Sequence, residues 1–240
     1  MENGSRAVPQ LISVIVPVHN GEKFLGDALA SIFTQDYRPI EVLVVDDGST
    51  DGSATIARSF PDIRYFHEEK QGSAVARNTG IDNSRGELIA FLDADDLWLP
   101  NQLSIQIAYL STHPETGCVY GKMKNFLDPG VACPPWIDPD TLLKPTDICS
   151  FCNTLARRSL FEAVGNFNPT YKQGQDLEWF FRVKESGIPI GNIPDTVLLR
   201  RIHENNISHN QNGSVQARLR MLKESIERKR GAAARPSGAL

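Results

Sequence analysis

An α/β fold, with a mostly parallel central sheet flanked by helices and a smaller irregular C-terminal lobe, is predicted by three features of this sequence. Short β-branched apolar runs recur through the first half of the chain. Helical apolar stripes separate them. Near residue 115 that rhythm breaks. Short continuous apolar runs fit strands buried on both faces. Strands alternating with helices imply right-handed crossovers that cover both sides of a sheet.

The elements follow in order. Residues 11–17 (LISVIVP) and 41–45 (EVLVV) read as buried strands. Between them, Phe24, Leu25, Ala28, Leu29 and Ile32 form one helical stripe. A second helix is expected over 51–60, a third strand over 63–67, a third helix over 72–84 and a fourth strand over 87–92. A fourth helix follows Pro100, with Leu103, Ile107 and Leu110 on its apolar face. Beyond residue 115, strands are expected within 118–123 and 148–156, with a Pro-rich loop (ACPPWIDPD) between them. Helices are expected over 157–164 and 175–187, the latter closed by Gly187. A strand over 196–203 precedes a last helix over 214–230, where Val215, Leu219, Leu222 and Ile226 recur at helical spacing. The organisation expected is a flexible start (1–10), a first lobe (11–115), a second lobe of the same domain (116–213) and a basic helix with a frayed tail (214–240).

Composition excludes several classes. The 240 residues are 40% hydrophobic and 22% charged, which argues against disordered, collagen-like and coiled-coil chains. No apolar run approaches the ~18–20 residues that span a bilayer. The opening MENGSRAVPQ lacks a signal-peptide core, and four cysteines do not make a disulfide scaffold. A cytoplasmic setting is therefore expected. A net charge of −4 argues against nucleic acid as a partner. The charge is uneven: residues 215–240 carry seven Lys/Arg and two Asp/Glu, net +5. The rest holds 18 basic and 27 acidic residues, net −9. Such a tail suits peripheral contact with the inner face of an anionic membrane, or docking of its apolar stripe on the body.

In open α/β sheets, ligands collect at the carboxyl ends of the strands, and here those ends are acidic. One strand runs into Asp46-Asp47-Gly48-Ser49-Thr50-Asp51, another into Asp93-Ala94-Asp95-Asp96. Asp51 and Asp96 precede helices and read as caps. Asp93 and Asp95 point the same way in an extended segment, a ready site for a hard divalent cation, Mn²⁺ or Mg²⁺. Gly72 and Ser73 precede a helix whose N-terminus would attract phosphate, and Arg77 lies one turn in, placed to fork onto a phosphate or a base edge. Asp176 stands at a loop–helix junction as either an N-cap or a general base. His203, at a strand end, is either structural or a nitrogen ligand beside the Asp pair. Cys149 and Cys152 read as small buried hydrophobes rather than zinc ligands. No P-loop and no G-x-G-x-x-G after the first strand is present, which argues against an ATPase and a dehydrogenase.

The segments Ile12–Asn20, Val44–Asp51, Gly72–Gly80 and Phe91–Pro100 together resemble, in order and spacing, the family 2 glycosyltransferases. The resemblance covers about residues 11–205 and implies the GT-A fold, a nucleotide-sugar-binding first lobe and an acceptor-binding second lobe. It implies inverting, metal-dependent transfer from a nucleotide-diphosphate sugar, UDP being typical, to a hydroxyl on a lipid-linked or growing surface glycan. Pro17 and His19 would line the base pocket, and Asp46 and Asp47 would contact base and ribose. Arg77 would approach base or diphosphate, Asp93 would meet the ribose, Asp95 would coordinate the metal, and His203 would approach metal or diphosphate. Asp176 would be the catalytic base. The sequence departs from the family in having His19 where an aromatic is common and Gln175 where Glu is common. The Q-x-x-R-W motif of processive synthases is absent, which fits single addition. Two other readings share parts of this pattern: a non-catalytic sugar-nucleotide binder, and a sugar-phosphate nucleotidyltransferase. The latter wants a basic Gly-rich loop where Pro17-Val18-His19-Asn20-Gly21-Glu22 stands.

Overall fold

The structure, a computed structural model, describes residues 9–135, 137–204, 206 and 219–228. The first half is β1 (Ile12–Val18), α1 (Leu25–Phe33), β2 (Ile40–Asp47), α2 (Ser53–Ser59), β3 (Ile63–Glu68), α3 (Ser73–Asn83), β4 (Leu88–Phe91), the short β5 (Leu97–Trp98) and α4 (Gln102–Thr112). The second half is β6 (Cys118–Leu127), the one-turn α5 (Pro139–Leu142), a 3-10 turn (Phe151–Asn153), β7 (Thr154–Arg157), α6 (Arg158–Val164), α7 (Gln175–Ser186), β8 (Ile190–Ile202) and α8 (219–228).

One eight-stranded sheet runs through both halves in the order β3-β2-β1-β4-β7-β6-β8-β5. β3, β2, β1 and β4 pair in parallel, so their carboxyl ends open on one edge. β7 then runs antiparallel to both β4 and β6. Strand alternation sorts the core onto two faces. Val14, Val16 and Val44 face one cluster with α1. Ile15, Val45 and Phe91 face the other, with α3, α6 and α7. In that second cluster Phe151 stacks on Phe180 and meets Trp179 edge-on, at centroid separations of 5.1 Å. This aromatic packing fastens the 3-10 turn to α7. Gly80 lets α3 lie flat on β1: a Cβ there would fall well inside contact with Ile15. Gly80→Ala is therefore expected to cost about 1–3 kcal/mol, as overpacking does, read as a lower urea midpoint.

Four expectations need correction. On α4 it is Gln102, Leu103, Gln106 and Leu110 that are buried, with Ile107 only partly so. The buried glutamine amides donate to main-chain oxygens of Cys152 (3.3 Å) and Asn153 (2.8 Å), a polar use of an inward face that apolar periodicity overlooks. Residues 148–153 do not form strand. Asn153 accepts from Ser150 N and donates to Gly121 O and Ile148 O, and these side-chain bonds replace a ladder. β8 starts at Ile190, earlier than its apolar run suggests, because β6 supplies a paired edge. On α8, Leu219, Leu222 and Ile226 face outward, while Met221 and Ser225 are buried. Polar anchors explain the rotation: Ser225 and Arg228 bond Glu185, and Glu224 accepts from Tyr171. Val215 and the expected frayed ends lie outside the described residues.

Candidate active site

A cleft of about 920 Å³ opens at the carboxyl edge of the parallel strands. Pro17, His19, Asp47, Arg77, Asp93, Asp95 and His203 line it together, although they come from five separate stretches of sequence. Asp46 and Asp176 are not among the lining residues.

Each side chain is set by its local backbone. Asp47, at the end of β2, accepts from Gln71 N (2.6 Å) and Gly72 N (2.9 Å). It thus moors the loop into α3, where Gly72 adopts φ +109°, a conformation that side chains resist. Asp46 points the other way and is almost fully buried. Burial opposes its charge, but bonds from Tyr65 and Ser49 outweigh that and hold its carboxyl below the ordinary range. The Tyr65 hydroxyl is correspondingly pushed up to about 12, by burial first and Asp46 second. Asp51 accepts from Ser53 N at 3.0 Å in a turn just before α2, whose N-cap is Gly52 and carries no side-chain cap bond, so Asp51 is not the cap the sequence predicts.

Arg77 connects two parts of the site. It is buried, and donates to Asp93 Oδ1 (2.7 Å) and to Gln175 Oε1 (2.9 Å). Gln175 in turn precedes Asp176 at the start of α7. The neutral Gln175 amide accepts from Arg77 Nη1, while Arg77 Nε is buried with no partner among the described residues. Asp176 Oδ2 accepts from Ser150 Oγ at 3.2 Å.

Asp95 and His203, 108 residues apart, meet at 2.9 Å. The His203 ring lies 4.7 Å from that of Phe24. Arg201 is stacked between Phe24 and Phe126. It donates to Asp95 O and Asp128 Oδ1, so the end of β8 grips the Asp93–Asp96 loop. Asp96 does not cap the next helix; it accepts from Arg201 N and is buried. Burial first, then repulsion from Asp95 and Asp93, pushes its carboxyl well above the ordinary range.

The donor set fits a hard divalent cation. The Asp95 carboxylate and the His203 imidazole, 2.9 Å apart at the cleft, would offer one oxygen and one nitrogen ligand. Asp93 is ion-paired to Arg77, and among the described residues the ligand atoms that lie within 4.8 Å of one another are those of Asp93, Asp96 and Cys152. Burial, and then the charges of Asp93 and Asp96, drive the Cys152 thiol well up.

Sequence reasoning passed over several lining residues: Lys70, whose Nζ lies 2.7 Å from His19 Nε2, Lys172, Arg200 and the 129–131 turn. It also passed over Ser150 and Arg201. Adjacent arginines at a strand end were the one available signal for Arg201.

Residues 13–165 match the profile of Glycosyl transferase family 2. The chain belongs to that family. An uncharacterized glycosyltransferase of Rickettsia typhi is 31% identical over 81% of this chain and 64% of its own. The Escherichia coli WfaP, named as a UDP-Glc:alpha-D-GlcNAc-diphosphoundecaprenol beta-1,3-glucosyltransferase, is 28% identical over 84% of this chain and 81% of its own. Among solved structures, the mannosyltransferase PcManGT of Pyrobaculum calidifontis, in complex with GDP-Man and Mn²⁺, superposes with a TM-score of 0.72. It is 24% identical, with 92% of this chain and 65% of that one covered. The fold is GT-A. The chain spans between 27% and 64% of the length of the Rickettsia relatives it matches. Among the described residues no helix is long and apolar enough to cross a membrane.

Proposed function

We propose that this glycosyltransferase chain moves a sugar from a nucleotide-diphosphate donor to a hydroxyl acceptor, with inversion and with the help of Mn²⁺ or Mg²⁺. The observation that carries this reading is the convergence of Asp93, Asp95, His203 and Arg77 on one cleft at the carboxyl ends of parallel strands.

Asp47 orders the loop under the nucleotide, beside His19 and Lys70. Arg77 orients Asp93 toward the ribose, and Lys70, Lys172 and Arg200 give the cleft positive charge for a diphosphate. Asp95 and His203 would hold the cation, which when bound offsets negative charge on the leaving diphosphate. Asp176 accepts the proton of the acceptor hydroxyl as its oxygen bonds to the anomeric carbon. The bond from that carbon to the diphosphate breaks on the opposite face. A UDP-sugar is the favoured donor, in keeping with the name of the WfaP relative; the GDP-Man bound by PcManGT makes GDP the competing choice. A surface-glycan acceptor carried on a lipid diphosphate, as in the WfaP name, fits the same reading. The test is a thermal-shift panel of UDP-, GDP- and dTDP-sugars with Mn²⁺ or with EDTA. One nucleotide should stabilise the protein only with metal; no metal-dependent shift from any of them defeats the proposal.

Peripheral membrane contact through α8 belongs to the same reading. Its outward Leu219, Leu222 and Ile226 are at least half exposed, and the segment around it is strongly basic. The protein should co-sediment with vesicles containing anionic lipid at low salt, and Leu222→Glu with Ile226→Glu should release it. Wild-type protein left in the supernatant rules the contact out.

A further inference from the structure

We propose that Ser150 is a positioning residue for the general base, a role that rests on the reading of Asp176 as that base. Among the described residues, the polar contacts of the Asp176 carboxylate all fall on one oxygen. Oδ2 accepts from Ser150 Oγ at 3.2 Å and lies 3.4 Å from Phe151 N. Oδ1 is thereby left for the proton of an acceptor hydroxyl. A carboxylate that is free to turn about its last bond presents either oxygen in any direction. One anchored at Oδ2 presents Oδ1 in a single direction.

The anchor is itself fixed. Ser150 N donates to Asn153 Oδ1 (2.9 Å), and Ser150 O accepts from Thr154 Oγ1 (2.6 Å). Asn153 is fully buried, and its amide donates to Gly121 O and Ile148 O. From the other side, Trp98 Nε1 and Gln106 Nε2 donate to the main-chain oxygens of Cys152 (2.7 Å) and Asn153 (2.8 Å). Four side chains from four elements thus converge on one short turn that presents a single half-buried hydroxyl to Asp176. The hydroxyl has two uses at once: in the capping box of the turn its oxygen accepts from Asn153 N while Asn153 Oδ1 accepts from Ser150 N, and its O–H donates to Asp176 Oδ2.

A mutant cycle on the full chain tests this. Ser150→Ala should lower kcat roughly 10-fold with the donor KM unchanged and the melting temperature lowered only by the few degrees that a lost cap costs, and Ser150→Thr, which keeps the hydroxyl, should restore most of the loss. In an Asp176→Asn background, Ser150→Ala should cost nothing further, because a positioning residue acts only through the group it positions. If Asp176→Asn is crippled but Ser150→Ala is silent, or its cost adds undiminished to that of Asp176→Asn, the role of Ser150 is overturned and the base assignment stands. If Asp176→Asn keeps its turnover, the base assignment fails and the role of Ser150 fails with it.

Discussion

Asp176→Asn is expected to reduce transfer turnover by ~10²–10⁴-fold, the usual contribution of a general base, while leaving donor affinity unchanged. The substitution is nearly isosteric and keeps an oxygen that can accept from Ser150. Asn gives up one of the acidic charges in the first turn of α7, a cost of about 0.3–1 kcal/mol that leaves the fold intact. What it removes is the capacity to take a proton. The donor cleft does not include Asp176 among its lining residues, and the link to it passes through Gln175 and Arg77. Calorimetric titration with nucleotide and metal should therefore give the same affinity for variant and parent. Single-turnover transfer isolates the chemical step. A variant that turns over at the parental rate would remove Asp176 from the mechanism. One that loses donor affinity in proportion to its rate would instead make it a structural support of Arg77.

The sequence was most legible where burial alone decides the structure. LISVIVP and EVLVV become β1 and β2 because a run with no polar interruption has nowhere to lie but between two covered faces. ELIAFL becomes β4 for the same reason, and the ends of the parallel strands β2 and β4 then place Asp47 and Asp93 at one edge. Legibility fell where polar groups do the inward packing. Gln102 and Gln106 look like solvent-facing residues of an amphipathic helix, yet each is wholly buried because a main-chain carbonyl waits for it. Residues 148–153 carry apolar side chains in a strand-like pattern, but Asn153 satisfies their backbone locally. Asp46 and Asp47 are adjacent and chemically identical. Only the pleat separates them, sending one to the cleft and the other to Tyr65 and Ser49. The outward turn of Leu219, Leu222 and Ile226 was hidden for a related reason: the apolar period fixes which residues share a face, not which face the Arg228 ion pair and the Ser225 hydrogen bond to Glu185 will choose.

Asp95→Ala is expected to abolish the metal-dependent part of nucleotide binding while sparing the fold. A ligand held at about 100 times its Kd stabilises a native state by ~2.7 kcal/mol. For a domain of this size that corresponds to roughly 5–10 °C in Tm, and the variant should lose that increment. Two features argue that the loss would be local. Arg201 grips Asp95 through its main-chain oxygen, a bond that alanine retains, so the loop keeps its path. Removing the Asp95 charge also lifts part of the repulsion acting on buried Asp96, which offsets the lost contacts to His203 and Asn206. In EDTA, parent and variant should therefore melt within a few degrees of each other. Added Mn²⁺ and nucleotide should then separate them. If the two proteins already differ by ~10 °C without metal, Asp95 acts mainly as a partner that holds His203 in place. If both still gain the same metal-dependent increment, the cation sits elsewhere in the cleft.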